Sequence, residues 1–163
     1  MQIVRKIAFF VIVVLVQVLI CNNIHLFDYA MPLIYVYFLM LFRRDYPRWG
    51  ILLWCFCLGL TIDAFSNTPG VASASATLIG FLQPYIFAPF IQRDSLDDMM
   101  PDMRTMGFSK FAIYSLMIVL IYCIVFYSLE MFSFFNWMEW LFSIGGSAAL
   151  TYILILVIEN FRT

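Results

Sequence analysis

The chain has 163 residues, 64% of them hydrophobic and only 12% charged, with a mean hydropathy of +0.96. A soluble domain carries about 25% charged residues and about half apolar ones, so this chain lacks the polar groups to cover a water-facing surface and reads as an integral membrane protein. The net charge of −1, with no basic stripe interleaved with aromatics, excludes nucleic acid as a partner.

A membrane-crossing helix needs about 20 apolar residues. Runs that approach this cover residues 7–24, 26–42, 49–65, 70–91, 111–129 and 140–158. The first, in "MQIVRKIAFFVIVVLVQVLIC", has the basic start of a signal peptide, but "VQVLIC" offers no small residues for cleavage, and the bulky Ile20 before Cys21 fails a lipoprotein site. It is expected to stay as a spanning helix. The second is interrupted by Asp28 and carries Pro32 in its first turn, where proline is tolerated. Runs two and three are short, and a re-entrant or interfacial segment is the alternative for each. The fourth has no charge at all, and the fifth and sixth are equally clean.

The nine Lys and Arg residues decide the topology. They fall at Arg5 and Lys6; at Arg43, Arg44 and Arg48; at Arg93, Arg104 and Lys110; and at Arg162. With six crossings all of them share one side, and cytoplasmic loops carry the Lys/Arg excess. Removing a crossing would place several arginines outside. The expected fold is therefore an all-α bundle of six transmembrane helices with both termini cytoplasmic, a single membrane domain over 1–163. Aromatics at both interfaces, Tyr46 and Trp49 inside and Phe132, Phe134, Phe135, Trp137 and Trp140 outside, read as headgroup-level anchors.

The stretch "GLTIDAFSNTPGVASASATLIGFLQP" (59–84) places Asp63 at the end of run three. An ionisable residue in a span is a functional candidate by default, costing about 2.5–3.5 kcal/mol at the helix centre and less near the interface. His25 and Asp28 in another outer loop are the groups that could join it for proton transfer or metal binding. The neighbouring pattern favours packing: Cys55, Gly59 and Asp63 recur at four-residue spacing, as do Ala72, Ala76 and Gly80, so each set shares a helix face. Small residues at that spacing let membrane helices approach closely, and Ser73, Ser75 and Thr77 are placed to add hydrogen bonds between helices. Thr68 suits an N-cap and Pro69 the first helical position. Residues 59–80 are expected to form a close-packed helical hairpin.

Gln17 and Gln83 are amides in apolar runs, expected to bridge helices. Pro84 removes the donor for the Gly80 carbonyl, which predicts a kink. Ser143, Ser147 and Thr151 align on one face of run six as a further packing face. The cytoplasmic loop 92–110 carries Asp94, Asp97, Asp98 and Asp102, without the glycine and glutamate of a calcium loop; it reads as a solvated loop, with docking of a cytoplasmic partner as the alternative. The four cysteines, Cys21, Cys55, Cys57 and Cys123, contain no CxxC pair, so zinc or redox chemistry is not expected. No Walker loop, GxSxG or HExxH occurs; no cofactor, metal or catalytic set is expected.

Together, the length, the six-span layout and the motif "GLTIDAFSNTPGVASASATLIGFLQPYI" resemble the rod shape-determining protein MreD family. In that family a glycine and an aspartate close the third helix and a glycine opens a small-residue fourth. Gly59, Asp63 and Gly70 occupy those positions, with Gly80 and Tyr85 similar to the later part; the acidic 94–102 loop belongs to no such signature. The resemblance implies a non-enzymatic scaffold of the bacterial inner membrane that supports peptidoglycan synthesis and cell shape, with MreC as partner and, through the complex, MreB, RodA and a class B penicillin-binding protein. It also implies a fold similar to the substrate-binding subunits of energy-coupling-factor vitamin transporters. The alternative function is therefore a small-metabolite-binding transporter subunit, against which the near absence of small residues in "IAFFVIVVLVQVLI" counts. No small-molecule substrate is expected. Gly59, Asp63, Gly70, Ala72, Ala76 and Gly80 are the residues expected to serve helix packing or partner binding. Gly80→Leu or Ala76→Leu is expected to weaken assembly more than Asp97→Ala, and equal recovery of the complex by all three in a detergent pull-down would overturn that docking role.

Overall fold

Away from water, a helix pairs each backbone N–H with a carbonyl of its own segment, which is why the apolar runs become helices. The computed structural model describes residues 2–19, 23, 32–43, 45–67, 69–91, 94, 101–132 and 136–162. Among these, every regular element is helical: α1 (Gln2–Leu19), α2 (Val36–Met40), α3 (Arg48–Ser66), α4 (Val71–Phe87, prolonged by a 3-10 turn Ala88–Phe90), α5 (Met103–Met106), α6 (Phe108–Met131) and α7 (Trp137–Arg162). Four helical stretches, Arg48–Ser66, Val71–Phe90, Phe108–Met131 and Trp137–Arg162, are long and apolar enough to cross a membrane. They correspond to runs three to six. The described part of run one is the 18-residue α1.

Neighbours in the bundle follow chain order, α1 against α3, α3 against α4, α4 against α6 and α6 against α7. Run two departs from the expected spanning helix. Its residues 26–31 lie outside the described residues, and from Pro32 onward only the five residues of α2 are helical, every one of them buried and packed against α4 and α6.

The reason is local. Pro32 has no N–H to give, and side chains from other helices take the backbone groups that a helix would have paired. Gln17 of α1 donates through Nε2 to the Pro32 carbonyl at 3.0 Å and accepts the Ile34 N–H at Oε1 at 2.9 Å. Thr151 of α7 accepts the Leu33 N–H at 3.0 Å. Where the segment leaves α2, Gln83 Nε2 of α4 donates to the Phe42 carbonyl at 3.3 Å, and the Tyr114 hydroxyl of α6 donates to the Met40 carbonyl at 3.2 Å. Non-helical backbone at membrane depth is tolerated where protein supplies its partners, and here it does.

Around this segment the core is aromatic and aliphatic. Tyr35, Leu39, Ile79, Tyr114, Ile118 and Tyr122 have no exposed surface. The Tyr35 and Tyr122 hydroxyls hydrogen-bond to each other, with their rings edge to face at 5.5 Å. Tyr127 and Ser147 join α6 to α7 through a 2.5 Å hydroxyl pair. Trp49 and Trp137 are exposed, whereas Phe134 and Phe135 lie outside the described residues. Pro84, where a kink is expected, lies inside α4.

Replacing Gln17 by leucine would leave a buried carbonyl and a largely buried N–H without partners, at about 1–3 kcal/mol for each group; Thr151→Val would strand one N–H. Unfolding in detergent micelles should place Gln17→Leu below Thr151→Val and both below the parent. Unchanged midpoints would mean that the Pro32–Tyr35 backbone finds its partners elsewhere.

Candidate functional site

The turn between α3 and α4 is tight because two of its residues adopt left-handed backbone conformations. Asn67 closes α3 at φ 54°, and Gly70 precedes α4 at φ 83°, a value that glycine adopts without Cβ strain. The cap differs from the expected one. Thr68 lies outside the described residues, Pro69 stands before the helix, and α4 begins at Val71 with Gly70 as its N-cap. Gly70 has no side chain, so it cannot serve the first free N–H groups of α4.

Asp63 serves them instead. Its Oδ1 accepts the Ala72 N–H at 2.9 Å and its Oδ2 the Ser73 N–H at 3.0 Å, in a site where the residue is 7% exposed. The carboxylate thus sits at the positive end of the α4 dipole, in two charge-assisted hydrogen bonds. Both oxygens are held by backbone, an arrangement suited to anchoring one helix end to another rather than to moving protons. His25 and Asp28 lie outside the described residues.

One turn earlier on the same face, Gly59 lets the helices touch. A Cβ there would lie 2.3 Å from Ser73 Cα, 2.6 Å from Ser73 N and 2.8 Å from the Ala72 carbonyl oxygen, all backbone atoms. At the far end of the contact a Cβ on Gly80 would meet Cys55 Sγ at 2.5 Å. Ala72 and Ala76 lie between them with no exposure. Of the six residues singled out in the sequence, five are thus buried inside the hairpin, and Gly70 alone is exposed at the turn. Their small faces are used within the chain. The hydroxyls behave differently from expectation: Ser73, Ser75 and Thr77 donate to the Gly70, Val71 and Ser73 carbonyls of their own helix start at 3.1, 2.8 and 2.7 Å. A short hydroxyl bonds backward more readily than across. Cys55 and Cys123 are buried and Cys57 is exposed, all as free thiols, while Cys21 lies outside the described residues.

A second polar cluster gathers at the C-terminal end of α7. Glu159, with no exposed surface, accepts the Tyr37 hydroxyl at 2.5 Å and the Met103 N–H at 3.1 Å. Arg162 donates to the Tyr37 hydroxyl at 3.2 Å and lies 3.6 Å from Asp102. Partial burial pushes Asp102 up, but its hydrogen bonds with Glu159 and the Arg104 N–H, and the charges of Arg162 and Arg104, hold it below the usual carboxylate range. Asp102 also caps α5 through the Arg104 N–H, so this end of the acidic loop is tied to α7. Asp94 is exposed, and Asp97 and Asp98 lie outside the described residues. The sequence singles out neither Glu159 nor Tyr37; the only available signal is a glutamate closing an otherwise apolar run.

Among the described residues no group of three His, Cys, Asp or Glu side chains could hold a metal ion. In comparisons with known proteins, the chain matches no family model, no curated protein and no solved structure.

The clash geometry ranks the glycines. Gly59→Ala should destabilise more than Gly80→Ala, because backbone cannot yield at Gly59 whereas the Cys55 side chain can shift at Gly80. Asp63→Ala should cost about 2 kcal/mol, the upper end for a lost N-cap. Detergent unfolding of the three variants measures this, and a Gly80→Ala loss equal to or above that of Gly59→Ala would refute the backbone contact.

Proposed function

We propose that this chain is a non-enzymatic scaffold of the bacterial inner membrane, similar to MreD, which binds membrane proteins of the cell-elongation machinery. The α3–α4 hairpin is the observation that carries the reading. Gly59, Asp63 and Gly70, the residues of the family resemblance, contribute close approach, helix capping and the turn respectively. The result is a pair of helices whose outward faces are fixed relative to each other.

Those outward faces are apolar. Leu53, Phe56 and Leu60 line α3 at i, i+3, i+7, and Leu78, Phe81 and Tyr85 line α4 at the same spacing, all exposed. Tyr85 is steadied by Arg48, which donates to its hydroxyl at 3.2 Å. In lipid, helices associate through van der Waals packing rather than hydrophobic drive, and a preformed face binds with little loss of conformational freedom. The small-residue faces, being internal, act on assembly through the hairpin; the exposed faces are the docking surface.

In this reading residues 26–42 still complete a crossing, made by the buried broken segment rather than a continuous helix. Six crossings and two cytoplasmic termini follow. The cations support it: Arg5, Lys6, Arg43 and Arg162, from before run one and after runs two and six, line one pocket, and Arg104 reaches the Arg162 carbonyl at 3.3 Å. The expected partners are MreC and, through it, MreB, RodA and a class B penicillin-binding protein, and the expected similarity in fold to energy-coupling-factor subunits belongs to the same proposal.

Affinity purification from native bacterial membranes tests the role. Recovery of elongation proteins is expected for the parent and is expected to fall several-fold for Phe56→Ala/Phe81→Ala, with the unfolding midpoint unchanged. Gly59→Leu should lower both. Recovery of a stoichiometric metabolite or an ATPase pair in place of those proteins would turn the reading to a transporter subunit, and equal recovery by Phe56→Ala/Phe81→Ala would move the docking surface off the hairpin.

A further inference from the structure

The polar cluster at the C-terminal end of α7 brings two carboxyl groups together. Glu159 has no exposed surface, and its oxygens accept the Tyr37 hydroxyl of α2 at 2.5 Å and the Met103 N–H of α5 at 3.1 Å. Met103 directly follows Asp102, so the bond that seats α5 on α7 also carries the Asp102 carboxyl toward Glu159. The two side chains hydrogen-bond to each other. Ionised carboxylates are acceptors only, so this bond requires one proton held between them.

The basic groups around the pair do not remove that need. Arg162, on α7 itself, lies 3.6 Å from Asp102 and 3.8 Å from Glu159, longer than a hydrogen bond to either. Its closer polar contact is the Tyr37 hydroxyl at 3.2 Å. Arg104 of α5 gives its backbone N–H to Asp102 at 3.0 Å and its guanidinium to the Arg162 carbonyl at 3.3 Å. Arg5 and Lys6 of α1, together with Arg43, border the same cavity as Arg162. Against partial burial, the bonds with Glu159 and the Arg104 N–H and the charges of Arg162 and Arg104 hold Asp102 below the usual carboxylate range. Asp102 is therefore the acceptor in the pair, and Glu159 carries the shared proton.

We propose that Asp102 and Glu159 form a proton-closed latch, which seats α5 and this end of the 92–110 loop on the end of α7 and opens as the pH rises. Opening takes both carboxyl groups into water, where each is ionised above the ordinary carboxylate range, whereas the closed pair keeps one proton. Opening thus releases a proton, and the latch weakens as the pH climbs above that range, by up to about tenfold per pH unit. The latch rests on these contacts alone and is independent of the scaffold role.

The test uses the full chain in detergent, followed from about pH 4 to about pH 9, which spans the ordinary carboxylate values and neutrality. Hydrogen exchange, corrected for the intrinsic effect of pH, reads the Met103 and Arg104 amides. Infrared spectroscopy reads the carbonyl stretch of a protonated carboxyl group, and thermal melting checks folding. In the parent, protection of those amides should fall by at least about tenfold across the range, and a protonated-carboxyl band absent from Glu159→Gln should fade with it. Asp102→Asn replaces the shared proton by an amide donor, so its protection should stay level with pH. Glu139→Gln, an exposed carboxylate at the opposite end of α7, should keep the parent's profile. If a variant at the pair fails to fold, the joint fading of band and protection in the parent carries the test. Level protection in the parent, with weaker protection throughout in Asp102→Asn, would mean that Arg162 bridges two ionised carboxylates and would overturn the latch. An Asp102→Asn profile equal to the parent's, or a band that Glu159→Gln retains in full, would overturn it too.

Discussion

Wherever backbone is kept from water, each N–H and C=O must find a partner in the protein, and most of what is particular to this chain answers that constraint. Among the described residues, the start of α4 and the segment 32–43 escape ordinary helical pairing. Asp63 supplies the first. Gln17, Thr151, Gln83 and Tyr114 supply the second from α1, α7, α4 and α6. An unpaired group in such a setting costs about 1–3 kcal/mol, so each of these side chains selects one arrangement of the helices over its competitors. The interior polar groups thus set geometry as much as stability.

The hairpin shows how such a lock depends on packing. Gly59 and Asp63 are four residues apart on one face of α3, and both act on Ser73. Gly59 admits the Ser73 backbone to a distance that no Cβ would allow, and Asp63 then takes its N–H. Holding Ser73 away at position 59 would stretch the bond at position 63. The two contributions are therefore coupled rather than additive, as expected of residues that share a partner.

Much of this is legible in the order of the residues alone. Four-residue spacing of small residues marks a face irrespective of context, so 59–80 reads as a hairpin, and lone amides in apolar runs mark Gln17 and Gln83 as bridges. Thr151 stands out by alignment with Ser143 and Ser147. What is not legible depends on contacts distant in sequence. Run two has the composition of a span, and nothing within it reveals that Gln17 and Thr151 will take its backbone. The Tyr37–Glu159 bond joins residues 122 apart, which periodicity does not report. The serines of α4 bond within their own helix because spacing gives the face a hydroxyl occupies but not the acceptor it chooses.

The cations, which act as a single population in setting the expected topology, divide by role in the folded chain. Arg162 is engaged by Asp102 and Glu159, Arg48 by Tyr85, and Lys6 by the face of the Tyr46 ring. The same division runs through the apolar surface. In the hairpin the small faces are buried against each other, and Leu53, Phe56, Leu60, Leu78 and Phe81 remain outside. For the proposed scaffold role this order matters, because lipid gives two helices no hydrophobic reason to meet. Contact area yields affinity there only when the surface is already in its bound shape. Under that proposal, a carboxylate locked onto a helix start and a glycine pressed against backbone would be prerequisites of docking, although both are buried inside the hairpin.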